Sequence, residues 1–317
     1  MFNVLLQMAV LIVCGSAWRF WQPGELDADT VRKALTNLVY YLFLPALVLN
    51  VLWHASLGMD TLRISVVAAS SVLVGMMLGY FVCRALNLNR AVTGALLLAS
   101  AFPNVMYLGL PVLDATLGHW ARSVAVQYDY FACTPLVFTL GIFVAKYYGV
   151  DTEKADATRM SWLEILKVPP VWAAILAIIL NQASINTPLI VGEVLDLLSA
   201  AVVPLMLIAL GMSLKWNKLW LSDLRLILPI CFIQVLIIPM YAWFIAQSVG
   251  ITDELLIAVV LEAAMPSMVL GIVFCDRFGL NTSIYAETVT LSTLLSLFTL
   301  PLWFNWMQNS LHVFFGG

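Results

Sequence analysis

The chain has 317 residues, 62% of them hydrophobic and only 10% charged, with a net charge of −3 and a mean hydropathy of +0.97. That balance excludes a water-soluble globular domain and gives no basic surface for nucleic acid. It describes an integral membrane protein whose surroundings are the lipid bilayer, long enough for about ten spans of roughly 20 residues with short connections.

Taken in order, the apolar runs predict spans near 3–20, 35–54, 64–83, 91–113, 123–145, 168–184, 190–213, 224–247, 254–275 and 284–307. Met1-Phe2-Asn3 carries no basic segment, and Arg19 follows the first run, so the first span is expected to be retained. The second contains Pro45 within Leu44-Pro45-Ala46-Leu47, paralleled by Val203-Pro204-Leu205-Met206 in the seventh. These prolines read equally as kinks and as functional elements. The third carries Gly75 and Gly79 at a spacing that lets another helix approach closely. The polar stretch 147–167 divides the chain into a first five-helix repeat, 1–146, and a second, 168–317. With an odd number of spans in each half, the second half enters from the opposite side, so the repeats are inverted.

Numbering the ends and loops in order gives strict charge alternation. Arg63 and Arg122 are the two basic residues of the set containing both termini; the other thirteen of the fifteen lie in the opposite set. By the positive-inside rule both termini lie outside the cytoplasm, in a cell inner (plasma) membrane. The five cysteines all fall in apolar spans without metal-ligand spacing and read as small core residues. No metal or cofactor is expected. Tryptophans such as Trp18, Trp53, Trp216 and Trp306 gather at span ends as interfacial anchors.

Two spans are interrupted where a helix has no water to rescue it. Ala101-Phe102-Pro103-Asn104-Val105-Met106-Tyr107-Leu108-Gly109 breaks the fourth, and Ala264-Met265-Pro266-Ser267-Met268-Val269-Leu270-Gly271 breaks the ninth. Interrupted helices at matching positions of two halves point to a transporter's binding site. Proline suits a first helical turn, so each second half is expected to begin at Pro103 or Pro266. Its free N–H groups, around 104–106 and 267–269, then carry the positive end of a helix dipole to the midplane. No lysine or arginine falls near the middle of a span. An anionic substrate would therefore be held by backbone N–H groups with Pro103, Asn104, Tyr107, Pro266, Ser267 and Asn50. Asn104 reads alternatively as a cap on the broken helix.

Asp129, Glu262 and Glu287 lie within spans, where an ionisable group faces a cavity or a partner. Each reads as a site of proton or ion coupling, with H+ or Na+ as the partner ion, or as a group satisfied by freed backbone N–H donors. His54, His119 and His312 carry no assigned chemistry.

The segments Asn37 to Leu47, Pro103 to Pro111, Pro204 to Gly211, Ala264 to Pro266 and Ser292 to Ser296 resemble the auxin efflux carrier family. That family includes plant carriers and bacterial permeases proposed for malate or malonate. The resemblance covers essentially the whole chain and implies an all-α membrane protein. Its fold would be ten transmembrane helices as two inverted five-helix repeats with crossed, broken fourth and ninth helices, like that of the bile acid and sodium symporters. It also implies a scaffold of the first, second, sixth and seventh spans facing a transport domain, with substrate beside the crossover. The short linker is similar to that of the bacterial branch, and Ser267 stands where symmetry with Asn104 would put an asparagine.

The expected function is a secondary active transporter of a small organic anion, a mono- or dicarboxylate or an auxin-like acid, working by alternating access. A cation or proton exchanger using Asp129 and Glu262 is the alternative within transport. An intramembrane enzyme or a receptor is the alternative outside it, although no nucleophile with a base in reach is visible. A homodimer is left open.

Overall fold

A computed structural model describes residues 2–55, 57–149, 169–214 and 220–315, and the side chains of 6–55, 57–149, 169–214 and 223–309. All regular structure in the described residues is helical. In chain order the helices are α1 (Phe2–Trp21), α2 (Ala28–Trp53), α3 (Met59–Ala85), α4 (Arg90–Ala101), α5 (Val105–Leu117) and α6 (His119–Tyr148). The second half runs α7 (Pro169–Gln182), α8 (Leu189–Ser213), α9 (Asp223–Ser248), α10 (Asp253–Ala263), α11 (Gly271–Phe278) and α12 (Thr282–Phe315). Six of these, α2, α3, α6, α8, α9 and α12, are long and apolar enough to cross a bilayer. The protein is a multi-pass integral membrane protein.

The second, third, fifth, seventh, eighth and tenth predicted spans fall on the six bilayer-length helices and the others on shorter ones, with one instructive displacement. The second was expected from residue 35, yet α2 begins at Ala28. Asp27 caps it, its carboxylate accepting from the N–H groups of Asp29 and Thr30, so the polar turn holding Arg32 and Lys33 is helical too. The predicted linker lies outside the described residues from 150 onward, as does Trp216.

Four prolines shape the long helices in the same way. Pro45, Pro111, Pro135 and Pro239 each follow a widened turn of five residues: Val39–Phe43, Val105–Gly109, Asp129–Cys133 and Ile233–Ile237. In each, the residue just before the proline reaches back five positions: Leu44 to Val39, Leu110 to Val105, Thr134 to Asp129, Ile238 to Ile233. Proline cannot donate, and its ring crowds the carbonyl four residues earlier; a widened turn relieves the crowding without leaving the helix. Pro204, by contrast, sits inside the continuous helix α8.

Packing divides the helices into two sets. α1 packs on α8, and α2 packs on both α7 and α8; α3 packs on α4 and α9, and α9 on α10 and α12. Glycines allow the closest approaches. A Cβ on Gly15 would meet the carbonyl of Ile208, and one on Gly211 that of Ile12, a reciprocal fit that Ser16 completes by donating to Gly211 O at 3.0 Å. Gly75 and Gly79 both face Ser100 of α4, the close helix contact that their spacing predicts.

Candidate functional site at the two helix breaks

The two interruptions meet. Pro103 and Ser267 form an antiparallel bridge, with Asn104 N donating to Pro266 O at 2.7 Å and Met268 N donating to Phe102 O at 2.9 Å. Neither proline opens a helix. Pro103 lies in the bridge and Pro266 just before its other side, and the helices restart at Val105 and Gly271. That differs from the expectation of a restart at the imino acid, and the reason is the bridge: it needs extended residues on each side. In a bilayer every interrupted peptide group needs a partner within the protein, and this is how several find one. Gln234 Nε2 donates to Met265 O at 3.0 Å, Tyr285 OH to Met268 O at 2.8 Å, and Ser267 N to Ser292 Oγ at 3.2 Å.

This bonding changes the expected roles in the ninth span. The N–H groups of Ser267 and Met268 are bonded within the fold, and the Ser267 hydroxyl donates to Ala99 O at 2.7 Å. Ser267 and Pro266 thus fasten the bridge between the two breaks. The fourth span is different. The first backbone bonds of α5 run from Leu108 and Gly109 to Asn104 O, so the N–H groups of residues 105–107 open that helix.

Beside this turn lies a cavity of about 310 Å³. Its lining includes Pro103, Asn104 and Tyr107 from the interrupted span, Asp129 and Thr134 from α6, and the aromatic residues Tyr40, Tyr41, Phe102, Tyr130 and Phe138. Three of the widened turns, in α2, α5 and α6, border it, each offering backbone that a regular helix would bury in its own ladder. Asn104 is 2% exposed, and its Nδ2 has no hydrogen-bond partner among the described residues. A buried amide donor left open beside a cavity is unusual unless something else completes it. Asp129 accepts from Thr134 Oγ1 at 3.1 Å.

The other sequence-selected residues lie elsewhere. Glu262 is fully buried behind α5 against Gly109, both carboxyl oxygens lack a hydrogen-bond partner among the described residues, and Asp129 is within electrostatic reach. Glu287 is in α12, accepting from Ser283 Oγ at 3.0 Å. Asn50 does not join the crossing: its amide donates to Asp196 at 2.8 Å on the wall of a separate cavity of about 920 Å³, shared with His54, His119 and Arg122.

Sequence reasoning missed Arg32. It was placed in a loop, but in the structure it stands one helical turn before Thr36 and lines a side chamber of about 40 Å³. Thr36, Tyr107, Leu270 and Val273 border both this chamber and the main cavity. The spacing Arg32, Thr36, Tyr40 is a single helical face and was the available signal.

Comparison with known proteins fits this geometry. The family model described as membrane transport protein matches residues 4–304. An uncharacterized transporter of Methanothermobacter thermautotrophicus is 30% identical over 95% of this chain and 96% of its own. The uncharacterized transporter YfdV of Escherichia coli K12 is 25% identical over 94% and 95%. A probable auxin efflux carrier component 5b of rice is 23% identical over 61% of this chain and 62% of its own. Helices long enough to span a bilayer, two breaks bonded to each other and a match covering nearly every residue lead to one conclusion: the chain is a membrane transporter of the auxin efflux carrier family.

Proposed function

We propose that the protein is a secondary transporter of a small organic anion working by alternating access, with substrate bound in the cavity beside Asn104. The observation that carries this reading is the Asn104 amide donor and, next to it, the first turn of α5, neither with a hydrogen-bond partner among the described residues, a donor-rich place suited to a carboxylate. The aromatic lining and the Asp129 carboxyl within it favour, within the mono- and dicarboxylates, a monocarboxylate with an apolar body. Such an acid is auxin-like in character; a second carboxylate, as in malate, would share the cavity with the Asp129 carboxyl.

The accompanying architecture is two inverted five-helix repeats, 1–146 and 168–317, joined by the linker 147–167 in an inner (plasma) membrane, both termini outside the cytoplasm. The mutual packing of α1, α2, α7 and α8 supports a scaffold against which the bridged breaks move. The test is a thermal-shift screen of the purified protein against malate, malonate, phenylacetate and indole-3-acetate, since a ligand of the folded form raises its melting point. Stabilisation by an acid and none by its amide supports the reading; no stabilisation by any acid removes it.

A second reading, proton or sodium exchange, draws on Glu262, whose two carboxyl oxygens have no hydrogen-bond partner among the described residues and which lies within electrostatic reach of Asp129. Under it, Glu262→Gln abolishes ion flux in proteoliposomes with no acid present; under anion transport alone, no such flux exists.

A further inference from the structure

Arg32 is a cation with an incomplete set of partners. Its Nε lies 3.5 Å from Asp29 Oδ1, too far for a hydrogen bond, and has no other partner among the described residues. Asp29 does not depend on it. The same Oδ1 lies 3.1 Å from Arg19 Nη2, and Arg19 is itself anchored through Nε to Met212 O at 3.2 Å. Asp29 therefore keeps a counter-charge if Arg32 turns away, and Arg32 needs another anion if it does.

The Arg32 side chain is only 20% exposed and lines the side chamber with Thr36 and Tyr107. Arg32 lies within electrostatic range of Tyr107, which lines both the chamber and the main cavity that Asn104 borders. Resting on the anion-transport reading above, we infer that Arg32 is the charge-selecting group of the binding site, pairing with the substrate carboxylate through the chamber it shares with the main cavity. Arginine suits this role because its fixed fork of donors matches a carboxylate bidentately. Asp29 is then an internal competitor that holds Arg32 loosely until a carboxylate arrives. The arrangement separates two tasks: Asn104 and the first turn of α5 fix position, and Arg32 distinguishes an anion from its neutral analogue. Asp129 lines the main cavity but not the chamber, so an acid's carboxylate is repelled there and favoured toward Arg32.

The experiment measures binding of phenylacetate and phenylacetamide to the purified full-length protein by calorimetry, for the wild type, Arg32→Gln, Arg32→Lys and Asp29→Asn. Arg32→Gln is expected to weaken phenylacetate by about tenfold or more, leave phenylacetamide unchanged and so erase the preference for the acid. Arg32→Lys keeps part of that preference. Asp29→Asn acts in the opposite direction, tightening phenylacetate about two- to threefold by removing the competitor. If the wild type prefers the acid and Arg32→Gln preserves the preference, the role of Arg32 is overturned while anion transport stands. If the wild type shows no preference, or binds neither probe, this inference is overturned, and the four-acid screen above decides separately whether the anion reading stands. Should Arg32→Gln not fold, Asp29→Asn decides: tighter acid binding supports the inference, and unchanged or weaker binding overturns it.

Discussion

Gly109 and Glu262 fill one another's space: a Cβ on residue 109 would run into the Glu262 carboxyl, which is fully buried. Gly109→Ala is therefore expected to destabilise the protein by about 1–3 kcal/mol, the usual effect of overpacking a tight core. Glu262→Ala in the same chain should recover most of the loss by vacating the site. A thermal-melt double-mutant cycle measures the coupling, and simple additivity would show that the two residues do not compete.

Asn104 and Ser267 stand on opposite strands of the same bridge with opposite duties. The Asn104 amide has no hydrogen-bond partner among the described residues, so Asn104→Ala should leave the melting temperature nearly unchanged and raise the half-saturating substrate concentration roughly three- to tenfold. Ser267→Ala removes the bond to Ala99 O and should cost about 1 kcal/mol of stability with saturation unaltered. Proteoliposome uptake with parallel melting curves tests both, and an exchange of the two phenotypes would refute the assignment.

Gly75 and Gly79 meet different atoms of Ser100. A Cβ at 75 strikes the backbone carbonyl, and one at 79 strikes the side chain. Ser100→Ala should thus rescue Gly79→Ala in part and Gly75→Ala not at all. Equal rescue of both would mean that α3 and α4 pack in another register.

Asp27 caps the turn of α2 that carries Arg32. Its carboxyl is held below the ordinary carboxylate range, first by the hydroxyl of Thr30 and then by backbone N–H groups. A depressed value means that capping is complete above about pH 4 and is lost as pH falls through the folded-state value. Asp27→Asn should keep the helix start, because asparagine also caps, and Asp27→Ala should lose it at every pH. Hydrogen exchange at residues 29–32 reads the difference; protection that persists in Asp27→Ala counts against the cap.

Pro135 follows the widened turn that presents Asp129 and Thr134 to the cavity. Pro135→Ala lets that turn relax to a regular one and re-aims Asp129 by about 100° relative to the residues beyond it. Uptake is expected to slow while thermal stability holds or rises, since alanine is the better helix former. Unchanged uptake would separate the turn's geometry from transport.

Most of the architecture was legible because a bilayer enforces long apolar runs, and a proline within one is conspicuous. Asp129, Asn104 and Tyr107 could be chosen on that basis, and they share a cavity. Ser267 and Asn50 could not be judged from sequence: whether a hydroxyl or an amide serves the fold depends on partners 168 and 146 residues away, Ala99 and Asp196. Arg32 was hidden for another reason. Hydropathy marks where a span becomes apolar, whereas Asp27 starts the helix earlier, and a charge in that extra turn looks like loop until the cap is seen.

The bridge between Phe102–Asn104 and Pro266–Met268 ties together pieces of chain far apart in sequence through main-chain bonds set amid buried side chains. Pulling them apart would strand peptide groups where no water waits. On the alternating-access reading, both pieces must then move as a single load. Neither half of the polypeptide, expressed without the other, could complete that bridge.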